Sequence, residues 1–230
     1  MMFFPERVIS VKQSDKVLEI GPGSTPHPRS DVYLELTYES KQAEQAQFGH
    51  TGAFTPKKPI VFYDGGRFPF QDHEFDYVIC SHVLEHVPDV EFFVSELQRV
   101  APAGYLEFPT AYYDYLFNFH VHLNFLYWDG EQILWTKKSD FPLGEFSHLQ
   151  ATFREALEKQ SISIVNELRE IFIQGLEWKQ PLVLKHTSDL DKLAKISTLI
   201  RDKRQKPVAP PLTFRQKVKI KLKLMIDRYL

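Results

Sequence analysis

The chain has 230 residues, of which 43% are hydrophobic and 25% are charged. These fractions are typical of soluble globular proteins and exclude the collagen-like, disordered and disulfide-scaffold classes. The single cysteine, Cys80, cannot form an internal disulfide bond, and no apolar run reaches the roughly 18 residues that a membrane helix needs. The sequence therefore predicts a cytoplasmic globular protein.

Charge is distributed unevenly along the chain, although the formal net charge is only -2. Residues 201–230 contain ten Lys and Arg against two Asp. By side-chain count this leaves about +8 on that segment and about -10 on the first 200 residues. A nucleic-acid-binding domain is expected to carry positive charge on its folded body. We therefore predict that nucleic acid is not a partner.

In the first half of the chain, short apolar runs alternate with helical patterns. The predicted strands are Lys16–Ile20, Val32–Leu36, Ile60–Tyr63, Phe75–Ser81 and Tyr105–Phe108. An amphipathic helix is predicted for Asp89–Val100, with Asp89 as its N-cap and Ala103-Gly104 closing it, and another helix for Tyr38–Phe48. This alternation predicts an α/β fold with a mostly parallel central sheet and helices on both faces.

The second half of the chain is less regular. Asp129-Gly130, between the apolar runs Asn124–Trp128 and Glu131–Thr136, predicts a β-hairpin. Leu149–Lys159 has a helical pattern. Two more strands, which would form an antiparallel edge of the main sheet, are predicted at Ile162–Leu168 and Gly175–Leu184.

The carboxyl ends of the first three strands carry residues suited to one nucleoside ligand. In an open parallel sheet, ligands bind beyond this edge. Gly21 and Gly23 let the backbone approach a ligand closely, and Glu35 is placed to accept hydrogen bonds from a ribose diol. Asp64 and Gly65 follow the third strand directly. All three features in this order predict a single nucleoside site.

Two common nucleotide motifs are missing from the sequence. The dinucleotide fingerprint needs a third glycine at the position of Pro26, and its acidic residue about 20 residues on, later than Glu35. The sequence also contains no Walker-A loop. Nicotinamide dinucleotides and ATP are therefore poor candidates for the ligand.

Three separated motifs resemble the class I S-adenosylmethionine-dependent methyltransferases, in particular a bacterial group whose fourth strand ends in an S-H-V-L-E-H type motif. The motifs are VLEIGPGS at 17–24, Asp64 followed by GGRFPFQDHEFDYV at 65–78, and CSHVLEHVPD at 80–89. The resemblance covers about residues 15–110. It implies a Rossmann-like class I methyltransferase fold, methyltransferase activity and S-adenosylmethionine as the cofactor.

The resemblance also implies a set of cofactor-binding residues. In this set the glycines lie under the methionine and ribose, Glu35 binds the ribose hydroxyls and the Asp64 carboxylate accepts a hydrogen bond from the adenine amino group. Ser81 and His82 lie near the methyl group. The set is Glu19, Gly21, Gly23, Ser24, Glu35, Asp64, Gly65, Ser81 and His82. The sequence departs from the family pattern at Thr25, which replaces the third glycine. The short segment Thr25–Ser30 predicts a short or irregular first helix.

Histidines near the strand ends are the candidates for catalysis, because a hydroxyl acceptor must lose a proton as its oxygen attacks. His86 lies four residues after His82, so in a helical turn both share a face, while His120 and His122 point to one side of an extended segment. We predict His86, His120 and His122 as catalytic; capping and packing are the alternative roles. The H-x-H pair has no third ligand recognisable by spacing, so we predict no metal.

Together these patterns predict a methyltransferase domain at 1–200, with core motifs at 15–110 and acceptor-side elements at 110–185. We expect a small-molecule or glycan-type acceptor, methylated at oxygen. The alternative is an inactive methyltransferase-like binding or scaffold module. Residues 201–230 form a proline-containing linker and a basic tail, which either docks on the acidic body, or is partly disordered, or contacts a membrane surface as an amphipathic helix.

Overall fold

The computed structural model describes residues 2–38, 58–159, 164–179 and 181–193. None of the helices in these ranges has the length and apolar character needed to cross a lipid bilayer.

Two of the predictions fall outside the described residues. These are the helix predicted at Tyr38–Phe48, beyond its first residue, and the basic tail at 201–230. Contacts between residues are concentrated within two units of the chain, Met1–Lys195 and Ile196–Leu230. The second unit lies outside the described ranges.

A six-stranded sheet forms the centre of the first unit, in the order β3-β2-β1-β4-β5-β8. Its strands are β1 (Val17–Ile20), β2 (Val32–Leu36), β3 (Ile60–Tyr63), β4 (Tyr77–Ser81), β5 (Ala103–Pro109) and β8 (Ile173–Lys179). All neighbouring strands are parallel except β8, which runs antiparallel to β5. The predicted Rossmann-like α/β fold with a mostly parallel sheet and an antiparallel edge is confirmed.

The central strands are mainly apolar, with Glu19 of β1 as the charged exception, because both faces of the sheet are covered. All four residues of β1 and the first four of β4 are buried. The helix α1 (Val90–Val100) packs on this sheet with Phe93, Val94 and Leu97 in the core. Its first turn is capped by Asp89, whose side chain accepts a hydrogen bond from the backbone N–H of Phe92, as predicted.

The end of α1 differs from the prediction. The helix ends at Val100, and Ala103-Gly104 do not close it but begin β5. Glycine is needed at 104 for packing, since a Cβ there would lie 2.4 Å from the carbonyl oxygen of Val78 on the neighbouring strand. Close contact between two backbones, rather than a helix stop, explains this glycine.

Close packing also explains a glycine on the edge strand. In β8, a Cβ at Gly175 would lie 2.1 Å from the hydroxyl oxygen of Tyr105. Gly175 is paired with Glu107 across the antiparallel ladder. The missing side chain at 175 therefore leaves room for the Tyr105 hydroxyl group beside Glu107.

The hairpin is confirmed and belongs to a separate three-stranded sheet, β6-β7-β9. Strands β6 (Asn124–Trp128) and β7 (Ile133–Lys137) pair antiparallel across the turn at Asp129-Gly130, and β9 (Leu184–His186) pairs parallel to β7. The Asp129 side chain accepts hydrogen bonds from the backbone N–H groups of two following residues, which stabilises the turn.

The remaining described helices are α2 (Ala111–Phe117), α3 (Ser147–Glu158), α4 (Ile164–Glu167), α5 (Arg169–Phe172) and α6 (Leu190–Leu193). Helix α3 confirms the helical pattern at Leu149–Lys159. The strand predicted at Ile162–Leu168 is wrong, since α4 occupies its described part. Val165 is the buried residue of this turn, and the backbone N–H of Leu168 bonds to the carbonyl of Ile164.

Candidate functional site

The loops after β1, β2, β3 and β4 emerge at one edge of the sheet, because these strands are parallel and in matched register. Ile20 lies beside both Leu34 and Cys80, and Leu36 lies beside Tyr63. The structure therefore brings the predicted cofactor-binding residues to the same edge. What each of them does there depends on its local contacts.

The first loop turns sharply at two glycines. Gly21 and Gly23 have φ angles of 60° and 56°, in the left-handed region that favours glycine. The backbone N–H of Gly21 donates a 2.9 Å hydrogen bond to the carbonyl of Leu34. A Cβ at Gly21 would lie 2.7 Å from Cγ2 of Val83 in the loop after β4. Glycine at 21 thus lets the first and fourth loops pack against each other.

Glu19 holds the rest of this loop in place. Its buried carboxylate accepts hydrogen bonds from the backbone N–H of His27 at 2.9 Å and the hydroxyl of Ser30 at 2.6 Å. Burial raises the pKa of Glu19 to about 7, although the two hydrogen bonds act in the opposite direction and lower it. The segment after Gly23 contains turns instead of the short or irregular helix expected there, and Ser24 is exposed in it.

The residues predicted to bind ribose and adenine lie in the next two loops. Glu35 is half-buried near the end of β2. Asp64 is exposed, and one of its carboxylate oxygens accepts a 3.0 Å hydrogen bond from the backbone N–H of Gly66. Gly65 between them has a φ of 92°. A tight, glycine-dependent turn therefore fixes the direction of the Asp64 carboxylate.

The loop after β4 is organised by a residue that the sequence did not single out, Glu107. This carboxylate accepts hydrogen bonds from the backbone N–H groups of Phe3 (2.7 Å) and Phe4 (2.9 Å), the Ser81 hydroxyl (2.9 Å) and the Tyr105 hydroxyl (2.8 Å). It is 1% exposed. Glu107 thus joins the start of the chain to the ends of β4 and β5.

His82 lies between two buried carboxylates. Its Nδ1 is 3.3 Å from Oε1 of Glu85, and its Nε2 is 3.2 Å from Oε1 of Glu107. Burial alone would lower the pKa of His82, but the two carboxylates outweigh burial and raise it. The backbone of His82 has a φ of 56°, which a side chain rarely adopts. This geometry favours a charged imidazolium bridging the two glutamates.

Beside the loop after β4, Glu85, His86 and His122 form a cluster. One candidate ligand atom from each lies within 4.8 Å of the others. Burial lowers the pKa of His86 despite the nearby Glu85 carboxylate. Residues 84–86 form a turn rather than the helical turn expected for His82 and His86, and both imidazoles lie beside Glu85.

His120 does not join this cluster. The expectation that His120 and His122 point to one side of an extended segment is wrong, because residues 120 and 121 form a turn closed by a hydrogen bond from His122 N–H to the Phe119 carbonyl. His120 is exposed, whereas His122 is buried. The sequence analysis did not single out the third member of the cluster, Glu85. Its position inside the S-H-V-L-E-H motif was the sequence feature from which it could have been identified.

Aromatic residues line the region beside His122. The ring of Tyr113 on α2 stacks on Phe119 with centroids 5.6 Å apart and lies 6.0 Å from the His122 ring. Phe117 and Phe125 are buried in the core, while Tyr113 is half-buried. The half-buried rings are therefore the ones that a ligand at this edge could contact.

The sequence itself matches a known family. Residues 18–108 match the family described as "Methyltransferase domain". This range covers the first five strands, apart from the first residue of β1 and the last of β5, together with α1 and every predicted cofactor-binding residue. A comparison with curated proteins gives no match.

The solved structures that are similar to this chain have low sequence identity and low TM-scores. A protein from Bacillus halodurans C-125 assigned as a methyltransferase is 20% identical with a TM-score of 0.38, over 51% of this chain and 59% of that one. A methyltransferase from Aquifex aeolicus is 17% identical with a TM-score of 0.32, over 47% and 64%. A complex of the Trm112 methyltransferase activator with an assigned methyltransferase from Haloferax volcanii is 19% identical with a TM-score of 0.34, over 45% of this chain and 49% of that one. The chain thus spans less than two thirds of the length of each.

Proposed function

Because residues 18–108 of this chain match the family described as "Methyltransferase domain", we propose that the protein is a class I methyltransferase that uses S-adenosylmethionine as its methyl donor and methylates an oxygen atom of a small-molecule or glycan-type acceptor. The observation that carries the proposal is the meeting of four loops, with Gly21, Glu35, Asp64 and His82, at one edge of the parallel sheet.

The cofactor half of this site would act mainly by binding and orientation. In the proposal, the left-handed turns at Gly21 and Gly23 bring backbone N–H groups close to the methionine and ribose parts. Glu35 accepts from the ribose hydroxyls, and Asp64 accepts from the adenine amino group. Glu19 acts as a positioning residue, because its carboxylate is already bonded to the loop at His27 and Ser30.

S-adenosylmethionine supplies a methyl group on a positively charged sulfur, which is already activated for in-line displacement. The protein must therefore align the acceptor oxygen, exclude water and accommodate the hydroxyl proton. His86 and His122 are the predicted catalytic histidines that lie together on the acceptor side, next to half-buried aromatic rings. His120, the third predicted catalytic residue, is exposed and can reach an acceptor only from the surface.

Cofactor binding tests the proposal directly. We expect S-adenosylhomocysteine to bind the full chain in calorimetry, and Glu35→Ala and Asp64→Ala each to weaken the affinity about tenfold or more, which corresponds to roughly 1.4 kcal/mol for one lost hydrogen-bonded carboxylate. Glu91→Gln, at an exposed position of α1, is the control and should bind like the wild type.

Acceptor chemistry is tested by incubating the chain with S-adenosylmethionine and simple phenols or methyl glycosides. Mass spectrometry of the products should show a methyl group on oxygen and equal formation of S-adenosylhomocysteine. Absence of S-adenosylhomocysteine binding at millimolar concentration would contradict the proposal, as would unchanged affinity in both the Glu35 and Asp64 variants. No observation on the described residues favours the inactive scaffold module.

A further inference from the structure

The cluster of Glu85, His86 and His122 has features that neither the methyltransferase family match nor the cofactor loops explain. Glu85 and His86 lie in the turn after β4, and His122 follows α2 on the segment after β5. Nε2 of His86 lies 3.7 Å from Oε1 of Glu85, and the two imidazole rings meet edge to face with centroids 4.9 Å apart. Two elements distant in sequence thus place three ligand-type side chains together.

Both imidazoles are oriented by hydrogen bonds at Nδ1. Nδ1 of His86 lies 2.9 Å from the carbonyl oxygen of Val121, and Nδ1 of His122 lies 2.8 Å from Oδ2 of Asp114. Because a carbonyl or carboxylate oxygen accepts, each Nδ1 carries the hydrogen and each Nε2 offers a lone pair. Histidines that ligate metals have this same arrangement of outer partners.

The partner of His122 is itself held firmly. Oδ1 of Asp114 accepts hydrogen bonds from Nζ of Lys138 and from the backbone N–H of Phe119, both at 2.9 Å. Asp114 is 1% exposed. The second oxygen of this carboxylate is thereby directed at Nδ1 of His122, which fixes the orientation of the ring.

Glu85 supplies an independent observation. Its side chain is fully buried, and neither carboxylate oxygen accepts a hydrogen bond from the described part of the chain. The His82 imidazolium, with Nδ1 3.3 Å from Oε1 of Glu85, compensates the charge of the carboxylate but makes no hydrogen bond to it. Buried carboxylate oxygens are normally hydrogen-bonded, so both oxygens of Glu85 remain able to bind an ion.

We propose that a carboxylate oxygen of Glu85 and the Nε2 atoms of His86 and His122 bind a divalent transition-metal ion, of which Zn²⁺ fits this donor set best. Two imidazoles and one carboxylate are a known three-ligand set for zinc, with the fourth position left for water or substrate. Tetrahedral ligands at about 2.1 Å from zinc lie roughly 3.4 Å apart. Here one ligand atom from each of the three side chains lies within 4.8 Å of the others, and Nε2 of His86 is 3.7 Å from Oε1 of Glu85, so the side chains must move closer together to bind the ion.

An ion at this edge has a consequence for the acceptor, and this consequence alone rests on the proposed function. A hydroxyl bound at the open position has a lowered pKa, so the two imidazoles then act as ligands and not as free bases. Metal binding itself requires neither an acceptor nor S-adenosylmethionine, so it can be measured separately.

The test titrates Zn²⁺ into chelator-treated full-length protein by calorimetry, without cofactor. We expect one ion per chain, and an affinity at least about 100-fold weaker in Glu85→Gln, which keeps the size of the side chain but removes its charge. His148→Ala is the control, because it removes an exposed histidine of α3 that is not part of the cluster and should leave the affinity unchanged.

Thermal unfolding provides the second readout. Zn²⁺ should raise the melting temperature of the wild type and of His148→Ala, and not that of Glu85→Gln. The proposal is overturned if the wild type binds less than a tenth of an equivalent, or if His148→Ala loses binding while Glu85→Gln keeps it. If Glu85→Gln does not fold, the wild-type stoichiometry and the His148→Ala affinity decide. S-adenosylhomocysteine binding, measured apart, reports on the methyltransferase function alone.

Discussion

Removing the Glu107 carboxylate should destabilise the protein more than most single substitutions. Four donors, the backbone N–H groups of Phe3 and Phe4 and the hydroxyls of Ser81 and Tyr105, lose their acceptor in Glu107→Ala. A hydrogen bond to a charged group contributes about 1.5–3 kcal/mol. The cost of burying the carboxylate, several kcal/mol, offsets part of this sum. We expect a net loss of about 3–5 kcal/mol in the free energy of unfolding.

Urea denaturation followed by far-UV circular dichroism measures this loss. Tyr105→Phe removes one donor and leaves the carboxylate, so it should cost only about 1 kcal/mol. Glu107→Gln keeps the volume but places an amide NH₂ against N–H donors, so its loss should fall between those of Tyr105→Phe and Glu107→Ala. The reasoning is refuted if Glu107→Ala loses less than about 1 kcal/mol at an unchanged m-value, or less than Tyr105→Phe.

Two further predictions concern the first loop. Gly21→Ala should lower the free energy of unfolding by about 2 kcal/mol, because a left-handed φ is strained for alanine and the new Cβ meets Val83. Gly144→Ala is the control and should change the free energy of unfolding little, because there is open space around Gly144; the midpoints of urea denaturation measure both variants. Burial raises the pKa of Glu19 to about 7, so between about pH 4.5 and 7 the unfolded chain loses this proton before the folded protein does. The free energy of unfolding of the wild type should therefore fall by up to about 3 kcal/mol relative to that of Glu19→Gln as the pH rises through this range. A constant difference in free energy of unfolding between the two proteins from pH 4 to pH 8 would contradict this.

The parts of the fold that the sequence predicts are those set by neighbouring residues. β4 is recognisable because a strand buried on both faces is continuously apolar, and β1 because a short, mainly apolar run ends at the turn beginning with Gly21. The cap at Asp89 and the turn at Asp129-Gly130 depend on local geometry. The strand predicted at Ile162–Leu168 failed because a short apolar run fits a helical turn as well as a strand, and packing decides between them.

The candidate site was predictable only in part, for the same physical reason. The glycines and carboxylates of the cofactor loops occur in contiguous motifs, so they could be assigned from the sequence. Glu107 contacts Phe3, which is 104 positions away, and Asp114 orients His122 through a turn that the alternating H-x-H pattern did not indicate. Contacts between distant segments depend on the tertiary fold, which a single sequence does not display.

The fit of Tyr105 against the bare backbone of Gly175 limits how this protein can change over evolutionary time. Any side chain at 175 would push the phenol ring away, and the ring would then stop donating to Glu107. A homologue that has gained alanine at this place should therefore also have exchanged its tyrosine for a smaller residue. We therefore expect the two positions to coevolve, which would link the outermost strand of the sheet to the residues around its functional edge.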